Sequence, residues 1–274
     1  MKYLRAEQIE QFRQEGYLSP LTAMSPSEAL GYRARLEASE REFGALKIGG
    51  LGSKSHLLFP WVDELARHPR VLDAIEDLIG EDILIYTLTL WLKGAHDGAF
   101  VDWHQDASYF GLEPKEQVTA WIALSTSSEQ SGCVRVIPGS HRSGIHRHSI
   151  REGVGNHMLP RRQAVDTTID ESSAVRMPLQ AGQFSLHHTL AIHGSEPNRS
   201  DDRRLGVGIS YIPTRCRFTG KTRLTGMLVR GTDRFGHFDH ERRPARDCDA
   251  IEYHAAVMKN YFGSKKELNL ANAE

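Results

Sequence analysis

The stretch HGSEPNRSDDRRLGVGISYIP, residues 193–213, decides how the rest of the chain is read. Its first half, GSEPNRSDD, is built from turn-forming residues, and the chain then enters an extended run. Strand alternation puts Arg204, Gly206, Gly208 and Ser210 on one face and Leu205, Val207, Ile209 and Tyr211 on the other. The apolar face predicts a buried sheet surface. The other face turns an arginine inward beside glycines, which supplies a cation and room next to it.

Working outward, four more runs share this β-like texture: ILIYTLTLWLK (83–93), QVTAWIALS (117–125), CVRVIP (133–138) and QFSLHH (183–188). Short runs separated by Gly, Pro, Asn, Asp and Ser predict an antiparallel barrel or jelly roll. The first 80 residues read as helical: a short helix over Ala6 to Gly16, a second one starting at a Ser25/Glu28 capping box and running to Phe43, and a third over Trp61 to Leu78. The tail from Asp249 to Phe262 reads as helical too. With no internal repeat and no linker, the expected organisation is one domain over residues 1–274. It comprises a helical part (1–80), a core (83–213) and a C-terminal loop and helix (214–274). The irregular stretch Gly144–Ser172 is expected to cover one mouth of the barrel.

Composition excludes several functions. Among 274 residues, 34 Lys and Arg nearly cancel 35 Asp and Glu, leaving a formal charge of −1, so neither nucleic acid nor a membrane surface is an expected partner. The three cysteines, Cys133, Cys216 and Cys248, are scattered and predict neither a disulfide framework nor a thiolate metal site. With no signal-like or membrane-spanning run, the expected location is cytoplasmic. The 14 histidines are the skewed number. Histidine is the commonest metal ligand.

Two of them stand in suggestive contexts. In WHQD (103–106), an extended chain would send His104 and Asp106 to the same face, and His193 could join them from a distant strand. Two histidines and a carboxylate on one face of an octahedron are the ligand set of non-haem Fe(II) oxygenases. Arg204 suits a buried dicarboxylate held by a bidentate fork. A zinc hydrolase with the same ligands would leave that arginine unexplained, and a non-catalytic metal-binding jelly-roll protein would have no use for all four residues.

WHQD, TAWIAL (119–124), GCVRVIPGSH (132–141) and HGSEPNRSDDRR (193–204), in that order, resemble the phytanoyl-CoA dioxygenase family of Fe(II)/2-oxoglutarate oxygenases. The resemblance implies a mainly β fold with flanking helices, a cupin-like double-stranded β-helix. It implies iron held by His104, Asp106 and His193, and 2-oxoglutarate held by Arg204 and Ser195, with Trp121 lining its pocket and Thr89 as a further contact. Dioxygen is the co-reactant, and 2-oxoglutarate would be decarboxylated to succinate and CO2 while an aliphatic C–H of a small molecule is hydroxylated. Desaturation, cyclisation or bond cleavage on the same centre are the alternatives. Related halogenases replace the carboxylate ligand, so Asp106 favours hydroxylation.

Substrate contacts are expected from Trp103, Gln105, Tyr109 and Phe110 around the metal motif, and from His56 and Lys54 ahead of the barrel. Arg135 begins a basic series, continued by Arg215, Arg217, Lys221, Arg223 and Arg230, that suits an anionic substrate. His187 would share the face of His193 if its strand is regular. The protein is expected to be a monomer or a homodimer.

Overall fold

The strand expected at residues 204–213 is central to the larger of the two main sheets in the computed structural model, which describes residues 1–151, 155–159, 162–245 and 249–271. In chain order come α1 (Ala6–Glu15), β1 (Tyr17–Thr22), α2 (Pro26–Phe43), α3 (Pro60–Ala66), α4 (Pro69–Ile79), β2 (Ile83–Lys93), β3 (Val101–His104) and α5 (Ala107–Phe110). Next are β4 (Leu112–Glu113), β5 (Val118–Ala123), β6 (Val134–Val136), β7 (His148–Ile150), β8 (Gln163–Val165), β9 (Val175–Met177) and β10 (Gln183–His188). β11 (His193–Ser195), β12 (Arg204–Pro213), β13 (Arg217–Phe218), β14 (Thr225–Arg230), β15 (Asp239–His240) and α6 (Asp249–Ala271) complete the order.

The larger sheet runs β1-β10-β5-β12-β2-β14-β15 and the smaller β3-β11-β6-β9. Together they form the two-sheet jelly roll expected from the strand pattern, without closing into a barrel. β12 pairs antiparallel with both β2 and β5, so Gly208 stands between Thr89 and Trp121. Its apolar face behaves as the alternation predicted. Leu205, Val207, Ile209 and Tyr211 are fully buried in one core with Val62 and Leu65 of α3 and Val71 and Ile75 of α4. The Tyr211 hydroxyl donates to the Ala66 carbonyl at 2.7 Å, pinning helix to sheet. Burying each large aliphatic side chain contributes about 1.5–3 kcal/mol, so this layer is what holds the larger sheet in place.

Two expectations for the first 80 residues change. Residues 17–22 form a strand, because Gly16 ends α1 in the left-handed conformation and the chain then adds to the edge of β10, burying Leu18 and Leu21. The single helix expected over Trp61 to Leu78 is two, since Pro69 lacks the N–H that a continuing helix needs and instead opens α4. The Ser25 capping box is as expected: the Ser25 side chain accepts from Glu28 N–H at 3.3 Å, and Ser25 N–H donates to the Glu28 carboxylate at 2.8 Å. In the stretch Gly144–Ser172, residues 152–154 and 160–161 lie outside the described part. Within the rest, β7 and β8 form an antiparallel pair, and Leu159 reaches the cavity between the sheets. Cys248 and residues 272–274 also lie outside it; Cys133 and Cys216 are buried free thiols. No described helix is long and apolar enough to cross a membrane.

Candidate active site

β3 and β11 are hydrogen-bonded neighbours with His104 directly opposite His193, so strand pairing alone sets the two imidazoles side by side, with ring centroids 4.2 Å apart. Their close approach depends on Gly194, where a Cβ would stand 2.8 Å from the Val101 carbonyl oxygen. The expected reason for Asp106 joining them is not the one observed. β3 ends at His104, and Asp106 has helical dihedrals at the N-terminus of α5, so a turn rather than extended alternation brings its carboxylate back. Asp106 Oδ1 lies 3.7 Å from His104 Nε2 and 3.9 Å from His193 Nε2. One ligand atom from each of the three residues fits within 4.8 Å of the others.

The surroundings put each group in a metal-binding state. His104 Nδ1–H donates to the Asp102 carbonyl and His193 Nδ1–H to the Ala191 carbonyl, each at 2.9 Å, which leaves both Nε2 lone pairs facing one point. Burial holds the His193 imidazole well below its ordinary pKa and hence neutral. Burial pushes the Asp106 carboxyl up, but the close imidazoles of His104, His187 and His193 more than reverse this and keep it ionised. Thr119 Oγ1 donates to Asp106 Oδ2 at 2.8 Å, leaving Oδ1 turned to the histidines. Behind Thr119 a relay continues: Gln117 Nε2 donates to Thr119 Oγ1, and Thr189 Oγ1 donates to Gln117 Oε1.

The triad lines a cavity of about 170 Å³ between the sheets, and Arg204 lines the same cavity. Arg204 is 1% exposed, yet its one protein hydrogen bond is a 3.4 Å contact from Nη1 to the Gly132 carbonyl, while Nε and Nη2 have no partner. Its guanidinium carbon sits 5.1 Å from the Trp121 ring centre. Burial pulls the group down to about 10. The two glycines beyond it do not provide room for a ligand as expected. A Cβ on Gly206 would stand 2.0 Å from Trp121 Cζ2 and one on Gly208 2.5 Å from Trp91 Nε1, so the space is taken by two indoles, which wall the cavity. Ser195 and Thr89 line it as well, with Ser195 Oγ accepting from Lys93 Nζ at 2.9 Å. Lys93 stands opposite Arg204 across β2 and β12, and burial together with the Arg204 charge lowers it to about 6.

Of the expected substrate contacts, Tyr109 and Phe110 line the cavity; Trp103, Gln105, His56 and Arg135 do not. Trp103 alternates away from His104, its Nε1–H donating to Glu171 at 3.1 Å with Arg135 4.6 Å over its ring. Gln105 is consumed by backbone: its amide donates to the Gly144 and Leu190 carbonyls and its carbonyl accepts from His146 N–H, tying the metal loop to the segment after residue 143. His56 and Lys54 meet Glu241 in a buried cluster at 2.9 and 2.5 Å. Four of the six members of the basic series are paired with carboxylates: Arg135 with Glu171 and Glu196, Arg215 with Glu116, Arg223 with Asp239, and Arg230 with Asp73 and Glu76. None of the series lines the cavity. Missed by the sequence reading are Thr87, Thr119 and Ser210, which face the cavity, and Tyr261 and Phe262, which reach it from α6. Alternation had already set Ser210 on the face of Arg204 without giving it a role, and alternation from Trp121 could have found Thr119. Nothing local announces the α6 pair.

A jelly roll whose smaller sheet offers two histidines, and the turn after β3 a carboxylate, to a cavity that a buried arginine also lines has the architecture of 2-oxoglutarate-dependent non-haem iron oxygenases. The comparisons agree: residues 4–206 match the model of the family described as "Phytanoyl-CoA dioxygenase (PhyH)". The chain belongs to this family. It is 31% identical over 157 residues to a protein of Stutzerimonas stutzeri named "Probable alpha-ketoglutarate-dependent hypophosphite dioxygenase", a match covering 57% of this chain and 54% of that one. It is 32% identical over 163 residues to phytanoyl-CoA dioxygenase domain-containing protein 1 of Rattus norvegicus, again covering 57% and 54%. The matched region thus spans about half the length of these curated relatives. Among solved structures, a non-heme monooxygenase, ThoJ in its apo form, superimposes with a TM-score of 0.85 at 31% identity, covering 96% of this chain and 99% of the other.

Proposed function

We propose that this protein is an Fe(II)- and 2-oxoglutarate-dependent dioxygenase that hydroxylates an aliphatic C–H bond of a small molecule. The observation carrying this reading is the pairing, in one cavity, of the His104–Asp106–His193 cluster with a buried arginine whose Nε and Nη2 have no protein partner. An unpaired buried guanidinium is costly unless a carboxylate completes it, and a planar fork matches a carboxylate in bidentate fashion.

When bound, the iron with 2-oxoglutarate and dioxygen supplies the oxidising power; one oxygen atom goes to the substrate and the other to succinate, with release of CO2. The chain's own residues bind and orient. His104 and His193 give neutral nitrogens, and Asp106 gives one negative charge against a divalent ion. Thr119 fixes the rotation of that carboxylate. Arg204 takes the distal carboxylate of the cosubstrate, with Trp121 and Ser195 beside it. Tyr261 and Phe262 cover the cavity from α6 and keep bulk water from the centre. A carboxylate at position 106 favours oxygen transfer over halide chemistry. Buried free Cys133 and Cys216 suit a reducing, cytoplasmic setting.

Fe(II) and 2-oxoglutarate added without oxygen should produce a weak visible charge-transfer band, and admitting oxygen should release succinate. Wild-type protein showing neither would end this reading.

A further inference from the structure

A row of four polar side chains crosses the larger sheet at the level of the metal ligands. His187 on β10 is paired with Thr119 on β5, Thr119 with Ser210 on β12, and Ser210 with Thr87 on β2. Direct cross-strand partners project to the same face of a sheet, and all four line the cavity. Thr119 Oγ1 is bonded to Asp106 and lies 3.4 Å from Ser210 Oγ, so the row begins at the metal group and leads away from it.

His187 is the member that the His–Asp–His site does not account for. It is 2% exposed, its ring centre is 4.2 Å from that of His193, and neither ring nitrogen has a hydrogen-bond partner among the described residues; Nε2 stops 3.6 Å from Asp106 Oδ2. Such a group loses its hydration and gains nothing in return, a cost that a ligand bonding to it would recover. The charge around the row is equally specific. Among the described residues, Arg204 is the one lysine or arginine lining the cavity, and it leaves β12 six residues before Ser210, about 20 Å away along the strand, too far for its side chain to reach the row. The two charges of a bound Fe(II) would be cancelled by Asp106 and the 1-carboxylate of 2-oxoglutarate, so a further carboxylate or phosphate placed here would be desolvated without a free cation. Four aromatic side chains, Tyr109, Phe110, Tyr261 and Phe262, line the same cavity.

We propose that the row His187–Thr119–Ser210–Thr87 orients the substrate, and that the substrate presents to it an uncharged hydrogen-bonding group, such as an amide, carbonyl or hydroxyl, with its carbon skeleton against the aromatic wall. His187 is then the specificity-determining contact. This rests on the oxygenase reading given above, and the test keeps the two apart.

The full chain is loaded with Fe(II) and 2-oxoglutarate without oxygen and titrated with phenylacetamide and, separately, with phenylacetate, two probes of one shape and different charge. Displacement of the charge-transfer band reports binding. Phenylacetamide should bind about tenfold more tightly or better, because only the acid must shed hydration without gaining a cation. His187→Phe and Thr87→Val should each weaken phenylacetamide about fivefold to tenfold, the worth of one hydrogen bond, and change phenylacetate by less than about twofold. The band itself reports loading in each variant, so lost probe binding is distinct from a lost centre. Wild-type protein without the band refutes the oxygenase reading. A band with phenylacetate bound as tightly as phenylacetamide, with neither probe bound, or with the preference unchanged in both variants overturns the proposal.

Discussion

Arg204→Met should make the protein more stable and less able to bind 2-oxoglutarate, and the two effects have one cause. Burial pulls the guanidinium more than two pH units below its ordinary value, to about 10. At about 1.4 kcal/mol per pH unit, the folded state carries about 3 kcal/mol of penalty for holding this charge. For a base with a lowered folded-state pKa, the penalty is complete below about 10, so it is fully present at neutral pH. The Trp121 ring 5.1 Å away offsets about 1–2 kcal/mol of it. Methionine keeps an unbranched apolar stem against the indole without the charge, so the unliganded variant should gain about 1–2 kcal/mol, roughly 2–8 °C in Tm. In the wild type, 2-oxoglutarate at about 100 times its dissociation constant should add about 2.7 kcal/mol; the variant should gain almost none. Thermal unfolding of both proteins, loaded with Mn(II) and measured with and without 2-oxoglutarate, gives all four values. A variant less stable than wild type without 2-oxoglutarate, or one stabilised by it as much as wild type, would refute the assignment of Arg204 as a strained receptor for carboxylate.

Thr119→Val keeps side-chain shape but removes the donor to Asp106 Oδ2; metal affinity, read by Mn(II) titration, should fall about tenfold to a hundredfold, and an unchanged affinity would mean that Asp106 is held by other contacts. Gly206→Ala puts a Cβ 2.0 Å from Trp121 Cζ2; denaturant unfolding should show a loss of about 1–3 kcal/mol or more, whereas a neutral result would show that Trp121 can move at no cost. Burial raises the Glu241 carboxyl, but Lys54 and His56 more than reverse this and hold it at about 2. Its stabilisation, of order 3 kcal/mol, is present above about pH 4.5 and lost as pH falls toward 2. Glu241→Gln should therefore be destabilised at pH 7 and flatter between pH 5 and 3, and parallel pH profiles of the two proteins would contradict this linkage.

How far the sequence could be read depended on the range of each interaction. Alternation in residues 204–213 and helical spacing over Val71–Ile79 are local, and both elements lie where the pattern put them. β1 could not be read in that way. YLSPLT is short and carries little alternation, and it is a strand because β10 has an edge to receive it. Similarly, Pro69 divides a helix whose apolar spacing continues through it.

At the site, residue identities and their order along the chain were enough to select His104, Asp106, His193 and Arg204 as a candidate set, since a metal and a dicarboxylate constrain which side chains can serve. Tertiary structure decided what surrounds them. It gave the space beside Gly206 and Gly208 to Trp121 and Trp91, paired four of the basic series with carboxylates, committed Gln105 to backbone, and aligned His187 with Thr119, Ser210 and Thr87. Ligand chemistry is a property of a residue type and can be read along the chain. Packing and charge neutralisation are properties of neighbours, and here those neighbours are tens of residues apart in sequence, joined only by the register of the strands.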